Sequence, residues 1–140
     1  MNVEAPIDPE YRPSDDEAFM CDRHKRYFKN KLMEWRASIL NESRETLEEL
    51  QQSGQNIPDV ADRASAETDR AIELRTRDRQ RKLISKIDSA LRRIDEGTYG
   101  YCEITGDPIA LRRLDARPIA TLSLEAQEMH ERREKVHRDS

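Results

Sequence analysis

The chain has few of the residues that build a thick apolar core, a disulfide framework or a membrane span. Hydrophobic residues make up 35% and aromatic residues 5% of its 140 positions. Average globular domains are about 45–50% apolar, so we expect a thin core. Its two cysteines are too few for a disulfide framework. The sequence also lacks a long apolar run and a signal-peptide pattern, and we therefore expect a cytosolic protein without membrane contact.

Charge is abundant but balanced. Asp, Glu, Lys and Arg make up 39% of the chain, and the net charge is only -4. This composition favours long helices with solvated faces, and its mild acidity gives no reason to expect nucleic-acid binding by the chain as a whole. The sequence contains no phosphate-binding glycine loop, catalytic triad or metal-protease motif. We therefore predict that the protein is not an enzyme.

Two long segments share a heptad pattern of apolar residues. One runs from about Cys21 to Ser53, and the other from about Arg63 to Glu96, with a break rich in Gly, Asn and Pro between them. If the segments pair as antiparallel helices, facing residues have numbers that add to a constant. The apolar positions obey this rule, in the pairs Phe28–Ile94, Leu32–Ala90, Trp35–Ile87, Ile39–Leu83, Thr46–Thr76 and Leu50–Ile72. This predicts a coiled-coil hairpin of roughly 50 Å, tightly packed at its base and more mobile at its tip.

The complete prediction is a mainly α fold with four parts. Residues 1–20 form an arm that packs on the head, and residues 21–96 form the hairpin, with its tip at 54–64. Residues 97–122 form a small globular head, and residues 123–140 form a C-terminal helix capped by Ser123. The predicted core of the head consists of Tyr99, Tyr101, Ile104, Ile109, Leu111, Leu114, Ile119, Leu122 and Leu124.

The head has the spacing of a zinc ribbon but not its ligands. Cys102 and Thr105 are followed by Ser123 and Ala126 at the same internal spacing, so one cysteine stands where a ribbon has four. We therefore predict a degenerate, zinc-ribbon-like head with no zinc, no other metal and no resident cofactor. Cys102 is interpreted either as an inert, half-buried thiol or as a sensor of oxidants. The three histidines, His24, His130 and His137, are predicted to lie on the surface.

Two charged motifs lie on the hairpin. At the tip, Asp62 has the residue type and position of an N-cap for the second helix. Asp59 and Asp62 together also suit an acidic probe that approaches a metal ion or basic residues. Farther along the second helix, residues 75–82 hold five basic side chains in eight positions. That run is either a solvated face paired with acidic residues of the first helix or a docking surface for an acidic protein.

Four segments occur in one order along about residues 21–127. They are Asp59-Val60-Ala61-Asp62-Arg63-Ala64, the stretch Glu73 to Ile84, Gly97-Thr98-Tyr99-Gly100-Tyr101-Cys102-Glu103, and Arg112 to Pro118. Together these segments resemble the DksA/TraR family of bacterial transcription factors. The combination is specific because the tip, the basic helix and the Arg-Pro segment occur at fitting distances.

The resemblance implies a protein that binds RNA polymerase and not DNA, and we expect it to be a monomer. Its coiled coil would enter the secondary channel and place the tip near the catalytic centre. Asp59, Asp62 and Ala64 match family positions that destabilise open promoter complexes, and Arg79 matches a basic position that contacts the polymerase. The implied role is a stringent-response regulator that inhibits ribosomal RNA promoters and activates amino-acid biosynthesis promoters.

The resemblance also implies an effector, the alarmone (p)ppGpp, bound together with polymerase. Leu83, Lys86 and Arg117 match three residues of that site, whereas a fourth basic position is occupied here by Gln127. We expect a weaker response to the alarmone for that reason. Since only Cys102 remains of the family's zinc ribbon, the chain resembles a zinc-independent branch.

Two other functions fit the hairpin and its acidic tip. A Gre-type cleavage-stimulating factor would use the tip carboxylates to hold a metal ion in the active site of the polymerase and so shorten backtracked RNA. A plain coiled-coil adaptor would not depend on the tip more than on any other exposed face.

Overall fold

The structure is a computed structural model that describes residues 8–53 and 60–139. Helix α1 spans Asp22–Ser53, α2 spans Val60–Glu96, α3 spans Leu111–Ala116 and α4 spans Leu124–Asp139. The described residues form no regular strand; the only sheet-like pairing among them is an isolated antiparallel bridge between Tyr101 and Pro108. None of the described helices is long and apolar enough to cross a membrane. The prediction of a mainly α fold with two long helices and a C-terminal helix is confirmed.

The chain divides into two compact units. The first contains residues 1–32 and 89–140, and the second contains residues 33–88. Both long helices run through the boundary, so each unit holds a part of α1 and a part of α2.

The second unit is an antiparallel pair of helical segments. Arg36 Nε donates to Asp88 Oδ1 at 2.7 Å, and Gln80 Nε2 donates to Glu42 Oε2 at 3.4 Å. Positions on α2 therefore fall as positions on α1 rise, as the seam rule requires. The predicted seam residues Ile39 and Ile87 are buried, because the heptad pattern brings them to the shared face.

Packing in this unit weakens toward the loop between the helices. Ile72, a predicted seam residue, is 49% exposed, and Leu74 and Leu47 are also exposed. Thr46 and Thr76 are half-buried. Apolar contact is thus concentrated near the start of α1 and the end of α2, in agreement with the predicted contrast between base and tip.

The first unit holds most of the buried apolar residues. The seam residues Phe28, Leu32, Ala90 and Ile94 are all buried in it. Tyr99 is 2% exposed, its ring centroid lies 5.6 Å from that of Phe28 in a tilted arrangement, and its hydroxyl donates to Pro118 O at 2.8 Å. The head thus packs directly on α1 through an aromatic pair whose only polar group is satisfied.

The predicted core of the head is partly wrong. Tyr99, Ile109, Leu111, Leu114 and Ile119 are buried as expected, but Tyr101, Ile104 and Leu124 are exposed. With no regular strands or long helices between residues 97 and 122, the sequence offers no periodicity to indicate which face of each segment is covered. The turn conformation decides it instead.

The end of α2 shows why a glycine stands at position 97. Gly97 has φ +84, Thr98 N–H donates to Arg93 O at 2.9 Å, and Gly97 N–H donates to Ile94 O at 3.3 Å. These two bonds form a Schellman motif, which requires a left-handed residue after the helix. The predicted helix end at Gly97 is confirmed.

We expect Gly97→Ala to lower the free energy of unfolding by about 1 kcal/mol, because an added Cβ disfavours the left-handed conformation. A Cβ at this position would meet no atom within 4 Å, so the loss reflects the backbone alone. Urea unfolding followed by circular dichroism measures it. Gly97→Asn is the matched control and should lose less, since Asn tolerates positive φ. Equal stability of Gly97→Ala and the wild-type chain would contradict this account.

Candidate functional site

The tip residues are only partly described. Asp59 lies outside the described residues, and of Asp62 only the backbone is described. Asp62 lies in the first turn of α2, since the helix begins at Val60, and its predicted role as the N-cap is therefore wrong. Helix α2 starts about three residues earlier than the sequence pattern indicated because the polar residues before Arg63 carry no apolar periodicity to mark the start. Ala64 is exposed on α2.

The basic run of residues 75–82 is largely exposed and interacts mainly within its own helix. Arg79 Nη2 lies 3.2 Å from Thr76 Oγ1, and Asp78 pairs with Arg81 at 3.8 Å and with Lys82 at 3.3 Å. The contact from this run to α1 is the Gln80–Glu42 hydrogen bond. Exposed pairs of this kind are worth little, about 0–1 kcal/mol, so the run keeps its charge available to a partner.

A cleft of about 180 Å³ lies beside this basic run in the second unit. Its lining includes Ile39, Ser43, Arg77 and Gln80. Arg77 Nε and Gln80 Oε1 are both buried there without a hydrogen-bond partner. A buried donor and a buried acceptor left without partners are costly, and they favour a ligand, a water molecule or a partner side chain that satisfies both.

The residues expected to bind (p)ppGpp fall in both units. Leu83 is half-buried and Lys86 exposed, three residues apart on α2 in the second unit, so they share one side of the helix. Arg117 is exposed in the first unit and follows α3 directly, where its N–H donates to Arg113 O at 2.8 Å. Gln127 is half-buried on α4, and its amide donates to Glu131 Oε1 at 3.0 Å.

Cys102 is buried among hydrogen-bond donors. It is 3% exposed. Burial alone raises the pKa of its thiol, but the Thr105 hydroxyl and the backbone N–H groups of Ser123, Thr105 and Ile104 together lower that pKa to about 6. A thiolate stabilised by several donors is the state that reacts with oxidants.

The four ribbon positions do come together. Thr105 and Ser123 both donate to Cys102, and Ser123 Oγ accepts the N–H of Ala126 at 3.2 Å, which confirms the predicted cap of α4. One thiol and three residues without thiols do not supply the ligand set of a four-cysteine zinc finger. The donors face the sulfur, so hydrogen bonds hold this corner of the head.

A second cluster lies where the N-terminal arm meets α1. One ligand atom from each of Glu17, Cys21 and His24 lies within 4.8 Å of the others. His24 is fully buried, so its predicted surface position is wrong. Sequence reasoning treated each residue separately. The signal it missed is the three-residue spacing of Cys21 and His24 at the start of a helix, with Glu17 four residues before.

Two family models match the chain. Residues 24–94 match the DnaK suppressor protein DksA, N-terminal domain, and residues 97–132 match the prokaryotic dksA/traR C4-type zinc finger. The chain belongs to the DksA family. The prediction that it has no metal or cofactor is wrong, because the chain matches a zinc-finger family and Glu17, Cys21 and His24 can form a metal site.

Relatives of this DksA-family chain align along most of its length. The RNA polymerase-binding transcription factor DksA of Caulobacter vibrioides is 68% identical over 130 residues, which is 93% of this chain and 92% of the relative. The protein of the same name from Escherichia coli K12 is 38% identical over 131 residues, 94% of this chain and 86% of the relative. The structure of transcription factor DksA2 from Pseudomonas aeruginosa superimposes with a TM-score of 0.80 at 41% identity, covering 84% of this chain and 91% of that one.

The lowered pKa of Cys102 makes stability depend on pH. The folded state holds the thiolate above about pH 6, whereas an ordinary thiol ionises only near 9.0. The unfolded state therefore binds more protons between these values, and the free energy of unfolding should rise with pH across this interval. This contribution is complete above about pH 9 and is lost as the pH falls through 6.

Unfolding of the wild-type chain and of Cys102→Ser by urea at several pH values measures this effect. The difference in unfolding free energy between the two should grow from pH 6 to pH 9. Cys21→Ser is the matched control. Because it retains Cys102, its free energy of unfolding should rise with pH as that of the wild-type chain does. A difference that stays constant across the interval would show that the Cys102 thiol is not ionised in the folded protein.

Proposed function

We propose that this DksA-family chain is a non-enzymatic transcription regulator that binds RNA polymerase in the bacterial cytoplasm, as a monomer and without direct contact to DNA. The observation that carries the proposal is the match to relatives named RNA polymerase-binding transcription factor DksA, one of which is 68% identical over 93% of the chain. Two matched family models and the DksA2 structure agree with it.

The exposed charge of α2 supports a protein partner. Arg79, Arg81 and Lys82 make weak contacts within α2 and stay available for acidic groups. Beside them, Arg77 Nε and Gln80 Oε1 offer a buried donor and acceptor without partners. A surface that combines steering charge with unsatisfied polar atoms is suited to a partner that supplies the missing hydrogen bonds.

The mechanism in this proposal places the tip at the catalytic centre. The pair of helices enters the secondary channel, and Asp59, Asp62 and Ala64 act near the active site to destabilise open complexes. Ala64 is exposed on α2, which leaves its side chain accessible to a partner. Together with (p)ppGpp, which Leu83, Lys86 and Arg117 help to bind, the protein inhibits ribosomal RNA promoters and activates amino-acid biosynthesis promoters.

Asp59→Asn and Ala64→Thr should abolish inhibition of a ribosomal RNA promoter while polymerase binding persists. The reason is that both residues act after docking, and Ala64→Thr changes an exposed helical position, at a cost of at most about 0.7 kcal/mol of stability. Single-round transcription with the cognate polymerase measures the effect. The matched controls are Asp69→Asn and Ala71→Thr, the same changes at exposed positions farther along α2. Full activity of both tip variants would refute the tip mechanism, and RNA shortened in a backtracked complex would favour a cleavage factor.

Two cations of α2 should separate docking from the response to the alarmone. Arg79→Ala should weaken polymerase binding about tenfold with or without (p)ppGpp, because it removes a charged contact to the polymerase. Lys86→Ala should leave polymerase binding intact and remove the alarmone-dependent part of the inhibition. In this proposal the positive charge of Lys86 contacts the (p)ppGpp anion. Equilibrium binding and transcription with and without (p)ppGpp measure both. The assignment would be wrong if Lys86→Ala behaved like Arg79→Ala in both assays.

A further inference from the structure

The cluster at the start of α1 combines three kinds of metal ligand. A carboxylate, a thiol and an imidazole come from Glu17, Cys21 and His24, with one ligand atom of each within 4.8 Å of the others. These are the donor types that bind Zn²⁺ in proteins. Glu17 and Cys21 are half-buried, and His24 is fully buried, so solvent reaches the cluster from one side.

The imidazole of His24 supplies a second, independent observation. Its Nε2 atom is buried and makes no hydrogen bond, although Glu17 Oε1 lies 3.4 Å away. Leaving a buried polar atom without a partner costs about 1–3 kcal/mol, and native proteins rarely accept that cost without a reason. Here the atom lies beside the carboxylate that completes the ligand set.

We propose that Glu17, Cys21 and His24 bind a divalent transition-metal ion, with Zn²⁺ as the natural occupant. Carboxylate and thiolate together neutralise its two charges, His24 Nε2 is the third ligand, and solvent takes the fourth position of the tetrahedron. Cys102 and the other ribbon positions are not among its ligands. Arg23 lies 3.8 Å from Glu17 Oε2, and Tyr11 donates to Glu17 Oε1 at 2.7 Å, so the metal competes with contacts that already hold this carboxylate.

Metal binding is coupled to a turn in the arm. Met20 N–H donates to His24 Nδ1 at 3.1 Å, so the neutral, metal-free imidazole carries its proton on Nε2. A metal on Nε2 moves that proton to Nδ1, and the Cys21 thiol releases its own proton to solvent. The hydrogen bond from Met20 is then lost. Met20 has φ +54, a conformation that costs energy for a residue with a side chain. Without the hydrogen bond to His24, this strained turn should loosen when the metal binds.

Titration of the purified full-length chain with Co²⁺ tests the site, since tetrahedral cobalt reports its ligands in the absorption spectrum. We expect one equivalent to bind, with a thiolate-to-cobalt charge-transfer band that Zn²⁺ removes by displacement. Cys21→Ser should abolish the band, and Glu17→Gln and His24→Gln should each weaken binding at least about tenfold. Circular dichroism of each variant establishes that it is folded.

The second cysteine provides the matched control. Cys102→Ser should keep the cobalt band and the stoichiometry, because the chain has two cysteines and only Cys21 belongs to the proposed site. Absence of cobalt and zinc binding by the wild-type chain would overturn the proposal. So would a band that survives in Cys21→Ser and disappears in Cys102→Ser, since it would place the metal at the ribbon positions.

Amide exchange adds a readout that does not depend on the thiol spectrum. In the wild-type chain, adding Zn²⁺ should make the Met20 amide exchange faster with solvent. In Cys21→Ser, adding Zn²⁺ should leave the exchange rate of this amide unchanged. If zinc binds and the Met20 amide stays as protected as before, His24 Nε2 is not a ligand, and the proposed site is wrong.

Discussion

The structure depends on apolar burial at one place, where the base of α1, the end of α2 and the head pack together in the first unit. Phe28, Leu32 and Ala90 are fully buried, and Tyr99 is nearly so. Full burial of such a side chain is worth about 1.5–3 kcal/mol, so a few residues supply much of the stabilisation available to so polar a chain. Among the large apolar residues of the second unit whose burial the structure describes, only Ile39 and Ile87 are buried, and several others are exposed.

That unequal distribution suits the proposed docking of the helix pair on RNA polymerase. Helical segments with a thin seam keep their outer faces charged, and the basic run between residues 75 and 82 stays exposed. A thick core there would have required apolar residues on both sides of each helix and would have removed the charge from the surface. In this thinly packed unit, Arg77 Nε and Gln80 Oε1 are buried without hydrogen-bond partners beside the cleft.

The cysteine of the head and the cysteine beside the N-terminal arm lie in different chemical environments. Cys102 lies in a corner of the head where backbone N–H groups and the Thr105 hydroxyl converge on the sulfur. Cys21 lies beside a carboxylate and a buried imidazole instead. One thiol is therefore in an environment that stabilises its anion, and the other is among ligands that can share a metal ion.

Sequence alone determined the two long helices, apart from the start of α2, and their register. Heptad spacing and the constant sum of facing positions fixed the antiparallel pairing now seen between Arg36 and Asp88 and between Glu42 and Gln80. Gly97 marked the end of α2 and Ser123 the start of α4, because helix termini have local chemical requirements that single residues reveal. The family resemblance was likewise carried by short segments in a fixed order.

Only the tertiary structure decided what depends on contacts between distant or irregular segments. Sequence could not show that Tyr101 and Ile104 are exposed while Ile109 is buried, because turns have no period that relates position to burial. Nor could it show that the Cys102 sulfur is surrounded by donors, since Ser123 reaches it across the head. The placement of His24 beside Glu17 also required the fold: an irregular arm residue and a helical residue meet only where the chain turns through Met20, and no spacing rule covers such a turn.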